Sequence, residues 1–144
     1  MIEISNGQRA FWTFLIMTLA APFFGALIVF LLAVAAGALG MGPQSLRALD
    51  SAAQLAWGAE KAVATFVWSA IPAAVAGAAL AGLLAMRGTF GWLEAAVAGA
   101  VTVAIGAFLT GGMVLQHLAP IAFIGGSVGV AMWAVFTRAG IVPR

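Results

Sequence analysis

The stretch AFWTFLIMTLAAPFFGALIVFLLAVAAGAL, Ala10–Leu39, decides the fold. It contains no charged side chain, and as a helix it runs about 45 Å at 1.5 Å per residue. About 20 apolar residues already cross the ~30 Å hydrocarbon core of a bilayer. The run is therefore long enough to span and has to tilt, kink or protrude. Pro22 supplies a kink point, because its ring displaces the carbonyl of Thr18. A secretory signal is the competing reading, and Ala33-Val34-Ala35 would suit its cleavage. Its apolar part is far longer than the 7–15 residues such a signal carries, and the segment before it is weakly charged, with Glu3 against Arg9. A retained membrane helix is the expectation.

Three more apolar runs follow, over 62–86, 93–115 and 118–136. Across the chain 65% of residues are hydrophobic and 7% are charged. A soluble domain carries about 25% charge, so this chain lacks the polar side chains to cover a wet surface. Disorder is excluded by the same richness in apolar residues. Gly25–Ala36 and Ala95–Phe108 show none of the alternation that a membrane β-barrel needs. The expected fold is an all-α integral membrane protein. It forms a single transmembrane domain over 1–144, with four transmembrane helices at about 10–39, 62–86, 93–115 and 118–136. Only Gln116 and His117 separate the last two, which predicts a tight helical hairpin.

Between the first two helices, Gly42-Pro43 stops the chain and Ser45 offers a cap. Leu46, Leu49, Ala53 and Trp57 then recur at near-helical spacing, which predicts a short amphipathic helix over about 44–60, resting in the interface. The competing reading makes this segment an extension of the second helix. Arg9, Arg87, Arg138 and Arg144 fall on one side of a four-span topology, against Arg47 and Lys61 on the other, which favours cytoplasmic termini. Trp12, Trp92 and Trp133 cluster towards that first side, and Trp57 and Trp68 towards the second, as an aromatic belt would.

Helices in lipid gain little from the hydrophobic effect and pack through small residues. The second helix carries Ala73, Gly77 and Ala81 at intervals of four, with a second row at Ala74, Ala78 and Gly82. The third carries Ala95, Gly99, Thr102, Gly106 and Thr110 on one stripe, and the fourth carries Gly125, Gly126 and Gly129. Gly77, Ala81, Gly99, Thr102, Gly106, Gly125 and Gly129 are the expected packing positions. Extra smooth rows have two readings: contact with other chains, or the compositional bias of a GC-rich genome, with which five Arg against one Lys agrees.

Chemistry-bearing residues are few. There is no Cys, and no Asp, Glu, Lys or Arg falls in the middle of an expected span. Ionisable groups at mid-membrane mark proton relays and ion paths. Glu94, at the start of the third helix, is the nearest candidate. Its structural reading is to complement the helix dipole and pair with Arg87. His117, the single His, is the other ligand candidate, as an imidazole for haem or a chlorin metal. Its structural reading is a cap or a solvent-facing residue. Nothing in the sequence names a cofactor. The serines have one His to share and no adjoining triad signature. Gly111-Gly112 and Gly125-Gly126 lack the Lys of a phosphate loop, and the scattered Arg do not form a nucleic-acid stripe. The expectation is a bacterial inner-membrane protein that is a non-catalytic subunit or accessory of a larger complex, partnered by lipid and by other subunits or copies of itself. The alternatives are a homo-oligomeric transporter or channel lined by Thr102, Thr110, Gly106 and the Pro22 and Pro72 kinks, and, more weakly, a pigment- or haem-associated protein.

Overall fold

Ser5 opens the first helix with a capping box. Its hydroxyl accepts from the Gln8 N–H at 3.3 Å, and the Gln8 side chain accepts from the Ser5 N–H at 3.1 Å. The computed structural model of the chain describes residues 5–41, 50–109 and 118–143. They form four helices: α1 (Asn6–Ala38), α2 (Ser51–Arg87), α3 (Trp92–Leu109) and α4 (Leu118–Arg138). No strand occurs among the described residues. All four helices are long and apolar enough to cross a membrane, so the chain has the composition of a multi-pass membrane protein.

The boundaries differ from expectation in one instructive place. The Asp50 carboxylate caps α2 by accepting from the Ala53 N–H at 2.8 Å, and the helix then runs unbroken for 37 residues. Residues 51–60 are therefore its first turns and do not form a separate amphipathic helix. Gly58 is the weakest helix former in that stretch, but it is buried where a missing side chain admits Phe30 and Ala33 of α1. Tertiary packing holds the helix through the point where the sequence alone allows a break. Residues 42–49, with the expected cap Ser45, lie outside the described residues. So do residues 110–117, with Thr110 and the expected Gln116-His117 turn.

Glycines stop three of the helices. Gly40 and Gly140 have φ of 64° and 71°, a left-handed backbone that costs glycine little. At each, the following N–H reaches back to a carbonyl of the last turn: Met41 to Ala36 at 2.8 Å and Ile141 to Phe136 at 3.0 Å. This is the Schellman pattern. The second one turns the C-terminal tail so that Val142 is buried.

The helices pack as two antiparallel hairpins. α1 lies along α2, with Met17 against Gly77, Gly25 opposite Ser69, and Gln54 against Gly37. α3 lies along α4 with their backbones in close contact at two glycines. A Cβ on Gly99 would be driven into the Gly125 carbonyl, and one on Gly129 into the Ala95 carbonyl. Such contact is the main attraction left between helices once lipid has removed the hydrophobic drive.

Contact between the two hairpins is thinner than contact within them. At the end that holds the start of α1, the α2–α3 loop and residues 139–143, they close around Met17, Leu80, Leu84, Phe90, Met132, Phe136 and Val142, all buried. Phe90 meets Phe136 edge-on, with ring centroids 6.2 Å apart. Thr13, also fully buried, has a hydroxyl with no hydrogen-bond partner. At the other end the hairpins splay apart.

Candidate functional site

The splay follows from where the bulk sits. Below mid-bundle, Leu80, Leu84, Met132 and Phe136 fill the gap between hairpins. Above it, α2 presents Lys61, Thr65 and Ser69, spaced four apart and so on one helix face. Small residues of α3 stand opposite, including Gly106 and Ala107. A cleft of about 680 Å3 results. Its walls are Val29, Leu32 and Ala33 of α1, residues of α2 from Trp57 to Pro72, Val103 to Ala107 of α3, and Ile121 and Ile124 of α4. Thr65, Ser69, Val103 and Ile124 also line a smaller cavity of about 70 Å3 beneath it, which reaches Met17, Thr102 and Gly125 at the centre of the bundle. The two spaces share these walls from the splayed end down to mid-depth.

The polar stripe is satisfied within its own helix. Thr65 donates to the Lys61 carbonyl at 2.8 Å, and Ser69 to the Phe66 carbonyl at 3.3 Å. Thr18 of α1 donates likewise to the Phe14 carbonyl at 2.8 Å. Pro72 and Pro22 release the carbonyls of Trp68 and Thr18 from the helix ladder, and Ser69 and Thr18 are the hydroxyls beside them in sequence. Both hydroxyls instead serve the previous turn, because the i−3 or i−4 carbonyl is what a helical Ser or Thr reaches. At the cleft mouth, Lys61 Nζ stands 5.6 Å from the Trp57 ring centroid, within cation–π range. Its ion pair with Glu60 measures 3.6 Å and is exposed. Glu60 is not part of the cleft wall.

The sequence-predicted residues fall in three places. Gly99, Gly125 and Gly129 lie in the α3–α4 seam, and Gly77 in the α1–α2 seam. Gly106 faces Pro72 across the junction of the hairpins, where a Cβ would come within 2.9 Å of the proline ring. Ala81 is half-buried on α2. The Thr102 hydroxyl bonds back to the carbonyls of Ala98 at 2.7 Å and Gly99 at 3.3 Å. Thr102, Gly106 and Pro72 thus border spaces inside one chain. Glu94 lies far from the cleft, at the closed end. One oxygen accepts from the Gly91 N–H, and the other pairs with Arg87 Nη1 at 3.3 Å. His117 lies outside the described residues. Among the described residues, no group of three His, Cys, Asp or Glu could hold a metal ion. Thr65 and Ser69 carry no compositional signal; their one sequence signal is the four-residue spacing from Lys61.

Glu94 gives a graded expectation. Glu94→Gln keeps an acceptor for the Gly91 N–H and loses only an exposed ion pair, so stability changes by less than about 1 kcal/mol. Glu94→Ala loses the cap as well and costs about 1 kcal/mol more. Equilibrium unfolding in mixed micelles, followed by circular dichroism, checks both; equal losses would mean that the cap contributes nothing.

Comparison with family models, with curated proteins and with solved structures yields no match to this chain.

Proposed function

We propose that this chain is a non-catalytic subunit or accessory of a larger assembly in a bacterial inner membrane, with both termini cytoplasmic, and that it works by presenting helix faces to other subunits or to copies of itself. One observation carries the reading. The bundle uses the row Ala73–Gly77 of α2 internally, and leaves the Ala78–Gly82 part of the second small-residue row uncovered. Ala78 and Gly82 are exposed, and beyond its chain neighbours and the adjoining helix backbone no described atom lies within 4 Å of where a Cβ on Gly82 would stand. Bulky Ile71, Val75 and Met86 flank this dip and are 76%, 55% and 84% exposed. A notch between apolar ridges suits close approach by another helix. Lipid would fill it with less contact per atom.

Mild-detergent purification of the tagged chain from its host tests the proposal. The expected result is co-purification of other membrane subunits or a discrete homo-oligomer. Gly82→Leu should abolish either species. It should leave the monomer fold intact, since Leu meets open space and is a better helix former by up to about 1 kcal/mol. A monomer with no companions, or an assembly indifferent to Gly82→Leu, would overturn the reading.

A further inference from the structure

The cleft of the splayed end goes beyond the partner reading and stands without it. Residues 61 to 87 of α2 rise about 39 Å. That is close to the 40–45 Å of a bilayer with its headgroup regions. Lys61 and Arg87 therefore mark opposite interfaces. From Lys61 to Pro72 the cleft wall extends about 16 Å, roughly half of the ~30 Å hydrocarbon core. The cleft is as deep as one leaflet. Its volume of about 680 Å3 lies within the 300–1,000 Å3 typical of small-molecule sites. Its walls are apolar below, and the one charge among the described residues that line it, the Lys61 cation, stands at the headgroup level. Exposed Ala64 and Trp68, the latter 63% exposed, leave it open sideways to lipid.

We propose that this cleft is a binding site for an anionic phospholipid of that leaflet, with one acyl chain between the hairpins and its phosphate at Lys61. The cation–π contact with Trp57 holds the ammonium at the rim. The Glu60 partner is exposed and exchanges for a phosphate at little cost, because surface ion pairs contribute little. The hydroxyls of Thr65 and Ser69 are already bonded to their own helix, so the wall meets an acyl chain without stranding a polar group.

Contact quenching by brominated lipid tests the proposal. The full chain, with Trp12→Phe, Trp92→Phe and Trp133→Phe, leaves Trp57 and Trp68 as reporters at the cleft. It is reconstituted in phosphatidylcholine vesicles containing a minor fraction of either phosphatidylglycerol or phosphatidylcholine with brominated acyl chains. Brominated phosphatidylglycerol should quench more strongly and saturate. Lys61→Gln should weaken that preference roughly fivefold, the worth of one basic residue at an anionic surface, and Lys61→Arg should restore it. Ala64→Phe fills the cleft, keeps the charge and should lower quenching by both lipids. Helix content by circular dichroism verifies each variant. Equal quenching by the two lipids, a preference that survives Lys61→Gln, or indifference to Ala64→Phe would overturn the site. A preference that vanishes as the protein-to-lipid ratio rises would assign the cleft to a second copy instead, and would also overturn it.

Discussion

Gly99→Ala, a change of one methyl group, is expected to separate α3 from α4. The methyl has nowhere to go, because the Gly125 carbonyl occupies its position, and backbone cannot rotate aside as a side chain does. The helices must move apart, and the seam then loses van der Waals contact along its length, including the approach of Gly129 to Ala95. Alanine regains up to about 1 kcal/mol in helix propensity. Overpacking of this kind costs about 1–3 kcal/mol and occasionally more, so the net loss should be about 2 kcal/mol, and more for Gly99→Leu. Gly126 provides the contrast. It neighbours Gly125 in sequence, but a Cβ there meets the Ala96 carbonyl at 3.5 Å and Ala100 at 3.7 Å, ordinary contact distances. Gly126→Ala should be neutral or stabilising. Unfolding in mixed micelles with increasing sodium dodecyl sulfate, read by far-ultraviolet circular dichroism, orders the variants. If Gly99→Ala and Gly126→Ala prove alike, the seam is not as close as described.

That pair of glycines shows where the sequence is legible and where it stops. Four apolar runs announce four helices, because lipid demands length and hydropathy and little else. Spacing also puts Gly99, Gly125 and Gly129 on smooth faces. It cannot say that Gly126 sits at a looser contact one residue away, because that depends on how far α4 is rotated against α3. The same limit applies to α2. The rows Ala73–Gly77–Ala81 and Ala74–Ala78–Gly82 read alike, yet Gly77 is buried against Met17 and Gly82 stands uncovered. The amphipathic pattern of 44–60 is real as periodicity; over 51–60 it is overridden by the packing of Gly58 on α1. The cleft leaves the faintest trace. Its depth comes from where large side chains are absent between the hairpins, and no local pattern encodes a space that four separate segments enclose.

Phe136→Ala should produce the other large loss, at the opposite end of the bundle. Phe136 is fully buried, with Phe90 edge-on to its ring, and Val142 is buried in the same cluster. None of the three neighbours is held by the same element: Phe90 comes from the α2–α3 connection, Phe136 from α4, and Val142 from the tail folded back at Gly140. The ring thus joins three segments that no helix–helix seam connects. Lipid cannot enter so enclosed a site to replace it, so the loss is of dispersion contacts and the creation of a cavity. In cores the truncation of a phenylalanine costs about 3–5 kcal/mol. Here about 3 kcal/mol is expected, with the tail released. Limited proteolysis after Arg138 reads that release directly, while Ile71→Ala, on a side chain 76% exposed, should leave both stability and cleavage unchanged. Phe90→Ala combined with Phe136→Ala should cost less than the sum of the two, by about 0.5–1.5 kcal/mol for the edge-to-face pair. Strict additivity would mean that the two rings do not meet, and the closed end would then be held by Met17, Leu80, Leu84 and the α4 side chains without that pair.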